Sequence, residues 1–140
     1  MDFKLELVLV PVTDVDRAKS FYVDQAGFYL EVDTPVGPDM RVVQVTPPGS
    51  ACSVGFGTGI TAALPGSAQG LHLVVSDILA ARDGLRERGV KVSEVKHLES
   101  GTWVPGPDPQ RANYQSFADF ADPDGNVWIL QEVNRAEPAA

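Results

Sequence analysis

The chain repeats itself once, and that repeat is the strongest limit on what it can fold into. An apolar, β-branched-rich run ends in Val12, followed by Thr13, Asp14 and Val15; a second run ends in Val75, followed by Ser76, Asp77 and Ile78. Asp77 lies 63 positions after Asp14, close to half of the 140 residues, and Ala81 repeats Ala18 at the same offset. Each run reads as a strand. Each Thr/Ser-Asp pair offers side-chain oxygens to the unpaired amides of a helix's first turn, and a carboxylate there suits the positive end of the helix dipole. The pattern predicts helices over 14–25 and 77–88. Val15, Ala18, Phe21 and Tyr22 form an apolar stripe on the first, and Ile78, Ala81 and Leu85 on the second. Gly27 and Gly89 stand where the helices should stop.

Short strand-like pieces follow each helix, at 28–34, 40–46 and 51–56 in the first half and at 90–97, 114–121 and 126–134 in the second. Pro35-Val36-Gly37-Pro38, Pro47-Pro48-Gly49-Ser50 and Asp122-Pro123-Asp124-Gly125 are turns between them. The order is strand, helix, three strands, twice over. This is an α+β chain of two βαβββ modules, 4–57 and 69–134, joined by a Gly/Pro/Ser-rich linker at 58–68. Curved mixed sheets around a cleft are expected. Residues 98–113, with Trp103, Pro105, Gly106, Pro107, Pro109 and Arg111, break the symmetry and read as a long loop without periodicity. The tail, 135–140, reads as unstructured.

An apolar content of 44% with 21% charged residues is ordinary for one globular domain. The net charge of −8 repels phosphate backbones and anionic lipid, so neither nucleic acid nor membrane is an expected partner. Apolar runs such as 7–12 are too short to span a bilayer. The charged opening residues do not resemble a secretory leader, and the single Cys52 cannot form an internal disulfide. The expected compartment is the cytoplasm. A phosphate loop, a dinucleotide glycine fingerprint and a paired-cysteine metal motif are all missing from the sequence.

Two motifs, Val12-Thr13-Asp14-Val15-Asp16-Arg17-Ala18-Lys19-Ser20-Phe21-Tyr22 and Asp122-Pro123-Asp124-Gly125-Asn126, in this order and within a duplicated βαβββ unit, resemble the vicinal oxygen chelate superfamily. That superfamily includes glyoxalase I, bleomycin-resistance proteins and extradiol dioxygenases. The resemblance covers about residues 4–134 and implies a homodimer. In the family's enzymes, His and Glu side chains on cleft-facing strands hold a divalent metal. The matching positions here are Leu7, Gly70 and Ile129, and the strand at 51–56 holds no His, Asp or Glu. A hard divalent cation needs several converging oxygen or nitrogen donors. Since these side chains supply none, no cofactor is expected and a divalent metal is disfavoured.

The candidate ligand-binding residues are His72, Gln131, Trp103, Tyr114 and His97. Strand side chains alternate faces, so His72 shares a face with position 70 and Gln131 with Ile129. Glu132 points the opposite way. Trp103 could close over an aromatic ligand or pin its loop to the body, while Arg111, Tyr114 and His97 are weaker candidates with a structural reading beside the functional one. Trp128 and Phe21 are expected in the core. An improvised metal site of His72, His97, Glu99 and Glu132 is disfavoured. The leading expectation is a small-molecule-binding protein of the glyoxalase/bleomycin-resistance type, without the usual metal, that takes an organic ligand of aromatic character. The alternative is a glyoxalase- or dioxygenase-like lyase or oxidoreductase that uses a displaced metal or His72. A third reading is a dimerising protein whose cleft is filled by its own side chains.

Overall fold

The computed structural model describes residues 1–134; the tail read as unstructured lies outside the described residues. The chain divides into two compact units, Met1–Gln69 with Asp122–Asn126, and Gly70–Ala121 with residues 127–134. Each carries one curved mixed sheet, as the repeat implies.

In the first unit, β1 (Leu7–Leu9) leads into α1 (Val15–Ser20), and β2 (Tyr29–Pro35), β3 (Arg41–Thr46) and β4 (Ser53–Thr58) follow. The sheet order is β1-β4-β3-β2, with β1 parallel to β4 and the other pairs antiparallel. Asp14 caps α1, its carboxylate accepting from the Arg17 amide at 3.0 Å. The predicted single helix over 14–25 is corrected in its second half. Phe21–Gln25 is wound as a π-helix, with the Ala26 amide donating to the Phe21 carbonyl at 2.8 Å. This wider turn brings the consecutive aromatics Phe21 and Tyr22 both to the buried side. Tyr22 packs against Phe28 and Phe56 at centroid separations of 5.7 and 5.4 Å, amid Val10, Val43, Val45 and Val54. At the edge of this core, Arg41 donates to Asp33 and Asp16, and Lys19 donates to Asp33. The Arg41 and Lys19 hydrogen bonds hold the Asp33 carboxyl well below the usual carboxylate range.

The second motif completes this unit. Asp122 Oδ2 accepts from the Tyr22 hydroxyl at 2.7 Å and from Asn126 Nδ2 at 2.8 Å, while Oδ1 accepts from the Asp124 and Asn126 amides. Asn126 Nδ2 also donates to the Pro11 carbonyl at 2.8 Å, and its Oδ1 accepts from the Ala68 amide at 3.0 Å. Asp124 takes the Thr13 hydroxyl at 2.6 Å together with the Thr13 amide. The chain crosses here so closely that Gly66 (φ +80) leaves no room for a Cβ against the Asp124 carbonyl. Asn126 and Tyr22 are fully buried and every polar atom of the Asn126 side chain is engaged.

In the second unit, β5 (Leu71–Val75) leads into α2 (Ile78–Glu87). Then come β6 (Lys96–Glu99), β7 (Thr102–Pro105), β8 (Ser116–Ala121) and β9 (Val127–Glu132). The order is β5-β9-β8-β6-β7, with β5 parallel to β9 and the rest antiparallel. Asp77 caps α2 through the Leu79 and Ala80 amides, and the core holds Ile78, Val90, Ala118, Phe120, Trp128 and Leu130. Two expectations are corrected. The strand over 90–97 breaks into an isolated bridge at Val92 and the shorter β6. The loop over 98–113 begins instead as a hairpin, β6 turning into β7 through Ser100 (φ 49) and Gly101 (φ 79). Two consecutive residues at positive φ make a tight turn whose twist suits a hairpin. The four-residue strand beside a Pro/Gly-rich stretch was too short to show its alternation.

Asn126→Ala strips two hydrogen bonds from the Nδ2 group, orphans the Ala68 amide and leaves the Pro11 carbonyl only the Gly66 amide as donor. It should cost about 3 kcal/mol of unfolding free energy, read from the urea midpoint.

Candidate functional site

Alternation gives the second sheet two chemically different faces. Along β9, Trp128, Leu130 and Glu132 are buried, while Val127, Ile129 and Gln131 are only partly covered. The register extends this across the sheet. His72 pairs with Ile129 and Ile129 with Asp119; Val74 pairs with Gln131, Gln131 with Phe117, and Phe117 with Lys96; Leu98 pairs with Trp103. These residues share one open face. The opposite face, against α2, carries Ala118, Phe120, Trp128, Leu130, Ser116 and His97. Trp128 stacks on Phe120 at 6.2 Å, and both Trp128 and Phe21 are core residues as expected.

Three of the five candidates, His72, Gln131 and Trp103, lie on the open face, His72 and Trp103 on its opposite edge strands. Trp103 is 49% exposed and meets the Phe117 ring edge-on at 5.6 Å. Trp103 itself lines a shallow recess of about 300 Å³ together with Glu94, Val95, Lys96, Val104 and Pro105. The Lys96 ammonium sits over the Trp103 ring, 4.6 Å from its centroid, and 3.8 Å from the Asp119 carboxylate. His72 Nδ1 lies 2.8 Å from the Gly70 carbonyl, an acceptor, so Nδ1 carries the proton and the lone pair of the neutral ring is at Nε2. Gln131 Nε2 reaches the Tyr114 carbonyl at 3.3 Å, which sets Tyr114, at φ 68, beside this face through its backbone. Phe117, Lys96 and Asp119 were missed as site residues. Counting by twos along 114–121 separates Phe117 and Asp119 from Phe120, but without the β6–β7 hairpin nothing placed Lys96 or Trp103 beside them.

His97 lies elsewhere. It is buried on the α2 side, with Nδ1 2.7 Å from the Gly106 carbonyl and Nε2 3.1 Å from Glu99. Both partners are acceptors and favour the protonated ring, and the Gly106 and Glu99 bonds raise its pKa. Glu132 is buried on the same side as expected. Arg111 grips it with Nε at 2.7 Å and Nη2 at 2.6 Å, and the Ile78 amide donates to it at 2.8 Å. Arg111 also reaches Asp77 at 3.2 Å, so the pair fastens the start of α2. Chiefly through Arg111, the Glu132 pKa is lowered.

The family's metal positions offer no donors in this fold. In the first unit, the Leu7 and Leu9 side chains crowd the face of Gly55 so closely that a Cβ there would meet Leu9 at 3.0 Å. Ile129 stands on the open face of the second sheet, and Gly70 precedes β5. A divalent ion does not fit these side chains. His72 and the pair His97 and Glu132 sit on opposite faces of the second sheet, which rules out the improvised set. Among the described residues, His, Cys, Asp and Glu form no group of three or more able to hold a metal ion.

A βαβββ unit followed by a second one that the β6–β7 hairpin extends to five strands, each with parallel first and last strands, defines a protein of the glyoxalase-like fold. The chain belongs to the Glyoxalase/Bleomycin resistance protein/Dioxygenase superfamily, whose family model matches residues 4–130. It is similar to TnmS3, an antibiotic binding protein from Streptomyces sp. CB03234, with 36% identity and a TM-score of 0.72 over 94% of this chain and 96% of that one. A glyoxalase/bleomycin resistance protein from the same Streptomyces shares 37% identity at a TM-score of 0.70, covering 91% and 99% of the two chains. The Bacillus subtilis (strain 168) protein YetH is 30% identical over 129 residues, 89% of this chain and 94% of its own.

The two buried ionic groups should give stability one limb on the acid side of 4.5 and another above 6.5. Glu132 has a lowered folded pKa, so its contribution is present above the ordinary 4.5 and is lost as pH falls through the folded value. His97 has a raised folded pKa, so its contribution is present below 6.5 and is lost as pH rises through the folded value. In urea titrations across pH, Glu132→Gln should flatten the acid limb and His97→Gln the alkaline one. Arg111→Met, which leaves Glu132 buried without its partner, should cost about 3 kcal/mol at neutral pH.

Proposed function

We propose that this protein binds and sequesters a small organic molecule of aromatic character on the open face of the second sheet, without the family's usual metal. The observation that carries the reading is the Trp103–Phe117 edge-on pair, next to Gln131 in the register, with Ile129, Val74 and His72 farther along the same face. Apolar surface with a few placed polar groups is the composition of small-molecule sites. The likeness to TnmS3, an antibiotic binding protein, supports the same reading. We place the protein in the cytoplasm as a homodimer; no helix among the described residues is long and apolar enough to cross a membrane.

One observation favours a second reading, an enzyme of the family's lyase or oxidoreductase kind. His72 Nε2 presents a lone pair on the open face and could take a proton from a ligand.

The test uses a panel of polycyclic aromatic compounds added to the full-length protein, with thermal stabilisation as readout. At least one compound should raise Tm, and Trp103→Ala should weaken its binding about tenfold by calorimetry while leaving the fold intact. His72→Ala should weaken binding less than Trp103→Ala does. Turnover of a bound compound that disappears in His72→Ala would favour the enzyme; a panel with no stabilising member would sink the binding reading.

A further inference from the structure

We infer that Lys96 makes the open face of the second sheet selective for aromatic ligands that carry an anionic group, a carboxylate or an acidic phenol. This deepens the binding reading above and rests on it. The Lys96 ammonium lies over the Trp103 ring at 4.6 Å, and both side chains line the recess with Val95, Val104 and Pro105. A ligand ring that takes this face of the tryptophan must move the ammonium off it. For a neutral ring the lost cation–π contact is a cost without compensation. An anionic substituent removes that cost, because the ammonium it draws away from Trp103 becomes its own counter-ion.

Lys96 is able to turn in this way. Its other partner, Asp119, is 3.8 Å distant, and both side chains are well exposed at 38% and 45%, so the pair is loose and screened. An ammonium also has three donors, enough to keep Asp119 while a second one serves the ligand. The flexible four-carbon stem lets the charge swing without moving β6. A cationic ligand meets the reverse situation: the tryptophan face is already occupied by a cation, and repulsion from Lys96 opposes any attraction to Glu94, which lines the recess, or to Asp119.

The experiment is calorimetric titration of the full-length protein with three probes of one shape: naphthoate, neutral naphthamide and naphthylmethylammonium. Wild type should bind naphthoate about fivefold more tightly than naphthamide, the equivalent of one exposed cation–π contact, and the ammonium probe most weakly. Lys96→Met should abolish the preference for naphthoate, with naphthamide bound as well as before or better. Lys96→Gln, which keeps a polar head, serves as the second variant, and circular dichroism confirms that both fold. Equal binding of naphthoate and naphthamide to wild type, a preference that survives in both variants, or tightest binding of the ammonium probe would each overturn the inference and leave the binding reading standing. Failure of all three probes to bind would overturn both.

Discussion

The first unit depends on one buried turn. Its core could be filled by many aliphatic combinations, but the path of the chain around Pro11, Thr13 and Gly66 is set by the carboxylates and amide of residues 122–126. Asn126 illustrates why such a device specifies structure. A fully buried side-chain amide has two donors and an acceptor to satisfy, and only one local geometry satisfies them all here. Pro11 lies 115 positions before Asn126, and Tyr22 100 positions before Asp122, so the unit cannot close until the last part of the chain has returned to it. Tyr22 is drawn into the same network by the π-helical turn, which couples the aromatic core to the turn through one hydroxyl.

The repeat made most of the architecture legible. The Thr/Ser-Asp pairs marked both helix starts, the glycines marked both ends, and the order of strands followed. What stayed hidden were features set by pairing rather than by local pattern. The π-helix does not alter the 3.6-residue stripe over its first turn, so Phe21 and Tyr22 looked like ordinary helical core. The β6–β7 hairpin is too short for its alternation to stand out, and prolines on its far side imitate a loop. Because the face carrying Trp103 is defined by that hairpin's register, the candidate site was readable only in fragments: His72 and Gln131 by counting in twos, but not Lys96, Phe117 or Asp119. His97 fell on the wrong side for the same reason.

Leu7, Gly70 and Ile129 stand where the resemblance calls for chelating groups, and Leu7 with Leu9 closes the surface over Gly55. The aliphatic replacement is thus packed into the sheet. The superfamily to which the chain belongs names both enzymes and resistance proteins, and the open face here combines rings, aliphatics and one amide with the Lys96–Asp119 pair.

The strict parity of β8 and β9 has an evolutionary reading. Even-numbered positions from Ser116 to Phe120 and from Trp128 to Glu132 hold the fold up, while odd-numbered ones, Phe117, Asp119, Ile129 and Gln131, face outward. A lineage can therefore exchange every second residue of these strands and acquire a new appetite for ligands without renegotiating its foundations, which lets one scaffold diversify quickly under changing chemical exposure.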